Sequence, residues 1–435
     1  MAPVSGRERV SADDASWLQM DSARNPMVVD VLLDFAGPLD PERVVDLLER
    51  RVVSRFPRFG QRVVGRAGLA GGPHWEPMDQ VRSSDHLQQH AAGSDGGSLG
   101  DIISDQAGRR LERSRPLWCA HLIDRSDGSS MLLRTHHSLA DGLGLVQLLY
   151  AFADPPAHGG LHPGQMPIDE RVASRRWPPA PALGRPLDSA RVYRKLGRLS
   201  DQANALRGDL TGTKQLSVSS PIDLDRAKAV AATSGATVND LGLAVLAGAL
   251  RHYLLECAGP GAVPDRVGVT VPVNLRSLDR PLPARLGNQI GLVFVNLPTG
   301  AEDPVERLGR LRSRMSAIKA SPEGAIVRSG MAMMGAVTHR PTVQAWMRQF
   351  TRRSTAIVTN IAGPQVPLQL DGVALERFVL WVPTSGSVGL GFSLVTYAGA
   401  LRIGVRSDTG VVADSTVLMR MVDDELDDID RYRSP

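Results

Sequence analysis

Short apolar runs and alternating segments recur along the whole chain. Residues 28–35 are rich in Val and Leu and predict a strand. Residues 41–53 place Val44, Val45, Leu47 and Leu48 at helical spacing on one face. Residues 117–123 and 130–136 alternate on either side of Asp127-Gly128, a strong hairpin signal. An apolar helix over 143–151 should follow, burying Leu145, Leu148 and Leu149. From 154 to 187 the composition turns to Pro, Gly and His with little periodicity, as in a linker or crossover. Residues 191–206 have a basic helical pattern, with Arg191, Arg194, Lys195 and Arg198 close together. That pattern fits a solvated interdomain helix or a helix lying on a membrane surface.

The second half opens with an alternating strand over 215–221 and a helix over 224–234, broken at Gly235-Ala236-Thr237. The next helix turns Leu241, Val245, Leu246 and Leu250 inward, with Thr237 or Asn239 as its cap. Residues 267–273 and 291–297 predict buried strands, and strand, helix and strand signals recur through 401–405. No internal repeat is evident. The pattern is α/β (α+β) in two halves around one cleft, residues 1–153 and 215–435, joined by a crossover over 154–214.

Composition narrows the function classes. A chain of 435 residues with 42% apolar content supports substantial cores. An aromatic share of 4% and a net charge of +4 with no dominant basic block argue against a nucleic-acid partner. Basic residues are nearly all Arg, with Lys only at 195, 214, 228 and 319. Such a surface suits phosphates or an anionic membrane, and it is equally a generic Arg-rich composition. Cys119 and Cys257 form no CxxC, so neither a disulfide framework nor a cysteine metal site is expected. The charged segment 1–10 lacks the apolar core of a signal peptide. The longest uncharged stretch, 378–401, is interrupted by Pro383 and four Gly, so it reads as strand, loop and strand rather than a membrane span. The expected location is cytoplasmic, with peripheral membrane contact left open.

The densest chemistry is His136-His137-Ser138-Leu139-Ala140-Asp141-Gly142, on a predicted strand-to-helix turn. A histidine there can accept a proton near neutral pH. Asp141 could fix the turn and the ring, and Gly142 permits a tight turn or the close approach of a ligand. The plain alternative is a structural or solvated histidine pair. A metal site fits poorly, because adjacent strand residues face opposite ways and no partner ligand recurs at zinc spacing. Ser138 lacks the GxSxG elbow of a serine nucleophile. Ala70-Gly71-Gly72 lacks the lysine and hydroxyl residue of a P-loop.

HHxxxDG resembles the motif of the coenzyme A-dependent acyltransferases, which include chloramphenicol acetyltransferases and peptide-synthetase condensation domains. Further landmarks resemble the bacterial wax ester synthase/diacylglycerol acyltransferase family in order. They are Ser11 to Trp17 with Asn25-Pro26-Met27, Pro116-Leu117-Trp118, Thr237-Val238-Asn239-Asp240, Val271 to Arg276, Gly287-Asn288-Gln289, and Thr359 to Pro364. The resemblance runs from about residue 11 to 414. Asn274 stands where many relatives carry Ser, and 206–216 matches only loosely. These departures bear on substrate identity rather than reaction class.

The resemblance implies two chloramphenicol acetyltransferase-like domains with an active-site tunnel at their interface. It implies an O-acyltransferase that moves a long-chain acyl group from acyl-CoA to diacylglycerol or a long-chain alcohol. His137 would be the general base, His136 a secondary neighbour, Asp141 a structural partner of an Arg, and Gly142 a space-maker. Asn239, Asp240 and Asn360 would contact substrate, although helix capping and turn chemistry explain Asn239 and Asn360 equally well. No metal or bound cofactor is implied, since acyl-CoA is a co-substrate. Two other readings stand beside this one: an acyltransferase or condensation-type enzyme for a small metabolite or carrier-bound acyl group, and a noncatalytic lipid-binding protein.

Overall fold

The computed structural model describes residues 6–65, 72–93, 97–155, 194, 201–276, 283–336 and 351–433. In the first half the described elements are β1 (Glu8–Arg9), α1 (Ala12–Met20), β2 (Val28–Phe35), α2 (Pro41–Leu48), β3 (Gln61–Val64) and β4 (His74–Pro77). They continue with β5 (Leu87–Ala91), α3 (Leu99–Ala107), β6 (Trp118–Arg125), β7 (Gly128–His136) and α4 (Gly142–Phe152). The second half begins with β8 (Lys214–Val218), β9 (Ile222–Asp223), α5 (Leu224–Thr233), α6 (Val238–Ala258), β10 (Val267–Asn274) and β11 (Ile290–Leu297). It ends with α7 (Pro304–Lys319), α8 (Glu323–Ala336), β12 (Ala356–Ala362), β13 (Gln369–Leu370), β14 (Val373–Trp381), β15 (Leu390–Tyr397), β16 (Ala400–Asp408) and α9 (Ser415–Asp427).

Two sheets organise these elements. One is six-stranded in the order β13-β14-β2-β7-β6-β5; the other is seven-stranded in the order β11-β10-β12-β15-β16-β8, with β9 also on β16. A small third sheet joins β1, β4 and β3. Strand β2 is buried along its whole length because both faces are covered. Val29, Val31, Leu33 and Phe35 pack with Leu47, Leu145, Leu148 and Leu149, while Leu32 packs with Ile103, Leu132, Leu216 and Trp381. Each such side chain, fully buried, contributes about 1.5–3 kcal/mol.

The first sheet itself crosses the division at 153/215. Strand β14 leaves the second half and pairs antiparallel with β2, from Leu375 opposite Phe35 to Trp381 opposite Asp30. Its Arg377 is ion-paired with Asp34, and Phe378 and Leu380 join the first half's core. The first sheet is therefore completed by residues from the far end of the chain.

Most expected elements lie where the periodicity put them, and the differences have local causes. Helix α2 ends at Leu48 and continues as a wider π-helical turn over Glu49–Val53. The β6–β7 connection is Ser126-Asp127, one residue earlier than expected, since Arg125 pairs with Gly128. Gly128 has φ +151°, and a Cβ there would sit 2.2 Å from the Phe35 carbonyl oxygen, so the glycine serves close strand approach. The helix expected over 191–206 does not extend through 201–206, which is loop. There Asp201 Oδ1 accepts from Gln202 N and Gly268 N, and Asn204 Oδ1 accepts from Leu206 N, side-chain bonds that compete with a helix. Residues 156–193 and 195–200, which hold the rest of that helix and most of the crossover, lie outside the described residues. Helix α6 is long and apolar enough to cross a membrane, yet 67% of its apolar window is buried in the protein, as in a core helix.

Candidate active site

The last rungs of β7 hold the histidine pair firmly. His136 lies opposite Val28; its N–H donates to the Leu117 carbonyl at 2.9 Å, and that of His137 donates to the Met27 carbonyl at 2.7 Å. The chain then turns into α4, where Asp141 is the N-cap and its Oδ1 accepts from Gly144 N at 3.0 Å. The second half closes over this turn. Asp141 Oδ2 accepts from Arg276 Nη2 at 2.8 Å and Nε at 3.1 Å, and from Gln289 N at 3.0 Å. The Gly287 N–H donates to the Leu139 carbonyl at 2.9 Å, and the Gly287 carbonyl accepts from Arg276 Nη2. Both Asp141 oxygens are thus committed to holding the loop.

The neighbouring histidines have opposite surroundings. His136 Nδ1 lies 2.8 Å from Ser138 Oγ and accepts from Ser138 N at 3.1 Å. Burial pushes its pKa down to about 3, and it does not line the cavity. Ser138 shares that burial, and its hydroxyl points to His136, away from the role of a cavity nucleophile.

His137 lines the cavity, its ring stacked on Trp17 with centroids 3.8 Å apart and planes 7° from parallel. Its Nδ1 lies 3.0 Å from Asn288 Oδ1. Asn288 Nδ2 donates to Asp14 Oδ1 at 2.8 Å and to the His137 carbonyl at 2.7 Å. Both of those partners are acceptors, so the amide oxygen faces the ring and Nδ1 carries the proton. The Nε2 lone pair is left for the cavity. Burial lowers the His137 pKa, against opposing contributions from its own carbonyl, Asp141 and Asn288. The ring is therefore neutral at neutral pH.

The cavity, about 280 Å³, lies between the two halves. Trp17, Met20, Ile290, Leu292 and Met331 form an apolar part of its lining. Thr270, Asn274, Ser354, Thr359 and Asn360, from β10, β12 and the segment before it, form a polar part. Gly142 also lines it, and a Cβ there would sit 2.2 Å from Ile361 Cδ1.

Residues 10–218 match the family model for the wax ester synthase/diacylglycerol acyltransferase catalytic domain, and 286–430 match its C-terminal domain. The chain belongs to this family. Membership makes it an acyltransferase of the wax ester- and triacylglycerol-forming class. It is 27% identical over 439 residues to a Mycobacterium tuberculosis protein named "probable diacylglycerol O-acyltransferase", covering 94% of this chain and 93% of the relative. The fold is similar to the wax ester synthase/diacylglycerol acyltransferase of Marinobacter aquaeolei, with TM-score 0.67, 21% identity, and coverage of 96% and 97% of the two chains. It is also similar to the first condensation domain of the calcium-dependent antibiotic synthetase, with TM-score 0.64, 17% identity, and coverage of 99% and 98%. The two-domain, chloramphenicol acetyltransferase-like architecture is thus the one observed.

Among the other residues singled out in this family member, Asn360 lines the cavity and Asn239 does not. The two are joined by Asn360 Nδ2 donating to Asn239 Oδ1 at 3.3 Å. Thr237, not Asn239, caps α6. Its Oγ1 accepts from Asp240 N at 3.2 Å, and its N–H donates to Asp240 Oδ2 at 2.9 Å. Asp240, expected to contact substrate, is buried in that capping box and is absent from the cavity lining. Asp14, Trp17, Arg276 and Asn288 were not assigned site roles from sequence, although each lies within a family-like segment. Their partners are far along the chain; Asn288 lies 151 residues from His137.

Proposed function

We propose that this chain transfers a long-chain acyl group from acyl-CoA to diacylglycerol or a long-chain alcohol, with His137 Nε2 as the general base. The observation that carries this reading is a neutral, oriented histidine whose free lone pair meets a cavity with a substantial apolar lining. The alcohol gives its proton to Nε2 as its oxygen attacks the thioester carbonyl. The tetrahedral intermediate collapses, the C–S bond breaks, and protonated His137 returns the proton to the CoA thiolate. A positioned base of this kind contributes about 10²–10⁴-fold. The Trp17 face against the ring favours the transient imidazolium. The same reading puts the enzyme in the cytoplasm, in peripheral contact with the membrane or lipid droplet that holds its acceptor.

The polar lining residues Thr270, Asn274 and Ser354 favour a second reading, in which a polar alcohol is the acceptor. CoA thiol release from palmitoyl-CoA tests both, using dipalmitoylglycerol, hexadecanol and a polar alcohol with wild type and His137→Ala. Release with a lipid acceptor that His137→Ala abolishes is the expected result. Release with the polar alcohol alone would replace the lipid reading, and no release with any acceptor would overturn both.

A further inference from the structure

The carboxylate of HHxxxDG is committed to the loop and not to the base. Both oxygens of Asp141 are occupied by Gly144 N, Gln289 N and Arg276. Beside the residue's own carbonyl, the groups that meet the His137 ring come from two other places, Trp17 on α1 and Asn288 before β11. Asn288 is 6% exposed. Turning its amide over would aim an oxygen at the Asp14 and His137 oxygens, losing bonds worth about 1–3 kcal/mol each in a buried setting. Asp14 Oδ1 also accepts from Asn288 N at 3.0 Å, and its Oδ2 accepts from Ser11 Oγ at 2.7 Å. Ser11 is the N-cap of α1, and Asp14 and Trp17 stand three residues apart on that helix. One helix therefore anchors the amide and supplies the stacking ring.

We propose that Asn288 is a positioning residue that holds His137 as the Nδ1–H tautomer, with Asp14 fixing the amide from behind. On this proposal Asp14, Asn288 and Trp17 orient the base, while Asp141 and Arg276 hold the loop. It rests on the reading of His137 as the base. The charged groups around the ring are Asp141 with Arg276 on the loop side and Asp14 with Arg58 on the α1 side. Burial raises the Asp14 pKa, opposed by its bonds from Asn288 and Ser11 and by Arg58. When His137 takes the alcohol proton, its Nδ1–H bond to Asn288 is already in place and needs no rearrangement.

Two substitutions separate positioning from simple packing. Asn288→Leu keeps the bulk and removes the acceptor; Asn288→Asp keeps the acceptor and removes the donors. Positioning predicts that Asn288→Leu lowers kcat by about 10²-fold with KM for acyl-CoA nearly unchanged. Asn288→Asp retains most of kcat, and its acid limb moves to higher pH, because a carboxylate beside the ring favours the imidazolium. A packing role instead predicts losses that follow stability, with Asn288→Asp harmed at least as much beside Asp14. The second measurement is the 15N spectrum of histidine-labelled wild type, assigned with His137→Gln. It is expected to show His137 protonated at Nδ1 and bare at Nε2 at neutral pH. A proton on Nε2, or an unchanged kcat in Asn288→Leu, would overturn the proposal. If Asn288→Leu does not fold, the Asn288→Asp profile and the wild-type spectrum still decide it. Equal CoA release by wild type and His137→Ala would remove the base reading itself, a result separate from the spectrum.

Discussion

Two buried polar clusters sit near the same end of β2 and β7 and serve opposite ends. In the first, Asp30 of β2 accepts from Arg134 Nε of β7 at 2.9 Å and from Arg406 of β16. Other donors of these guanidinium groups reach the carbonyls of Arg109, Ala107 and Val28, and none of the three residues lines the cavity. A companion node binds Lys214 Nζ to Asp408 Oδ2 at 2.8 Å and to Asn25 Oδ1 at 2.7 Å. Together they rivet one sheet to the other. In the second cluster, Asp14, Asn288 and His137 form a similarly buried chain, but it ends in a ring nitrogen with no partner among the described residues. Burying polar groups costs several kcal/mol in either place unless they are paired. Chemistry becomes available where one lone pair is left over.

The largest test of that contrast is His137→Ala. CoA release per folded molecule should fall by about 10²–10⁴-fold, while the lost Trp17 stacking and Asn288 bond lower stability by only about 1–3 kcal/mol; a loss of stability with release per folded molecule unchanged would make His137 another rivet. Asp30→Asn should do the reverse. It leaves two buried arginines without their counter-charge and should cost about 3–5 kcal/mol of stability, read by urea unfolding. The kcat per folded molecule should not change, and a selective loss of kcat would join the two clusters functionally.

A pH series sharpens the contrast by placing the clusters in separate windows. Burial holds His137 below its ordinary 6.5, so kcat/KM should stay flat from neutral pH and fall only below 6.5, as the base gains its proton. For Asp408, burial alone would raise the pKa. The bond from Lys214 and the N–H groups of Gly410 and Thr211 nonetheless hold it at about 2, against an ordinary 3.8. Between those values the unfolded chain binds more protons than the folded one. Stability from this group is therefore fully present above 3.8 and lost as pH falls through about 2. Activity should fail first on acidification, with thermal unfolding monitored alongside. The smallest effect is expected for Gly142→Ala. The new Cβ must displace the tip of Ile361, at a cost of about 1–3 kcal/mol in the unfolding midpoint, with a raised KM as the cavity narrows.

The legible parts of this protein were those with local causes. Strand β2, the β6–β7 hairpin and helix α4 follow from spacing of two or 3.6 residues, and the HHxxxDG turn falls between strand and helix as expected. The cap of α6 was legible only as a choice. Thr237-Val238-Asn239-Asp240 contains both candidates, and the reciprocal bonds with Asp240 select Thr237. The return of β14 to the first sheet was not legible, because an apolar run states that it will be buried but not beside which strand.

The sequence by itself determined the chemical inventory, namely a histidine pair on a strand-to-helix turn, a family-like order of motifs, and two apolar cores. Tertiary structure decided which histidine faces the cavity and which ring nitrogen is bare. It also decided that Asp141 answers to Arg276 and His137 to Asn288, partners 135 and 151 residues away. Periodicity governs neighbours within a turn or a strand. The direction of a hydrogen bond between distant segments is set only when two sheets pack and every buried donor must find an acceptor.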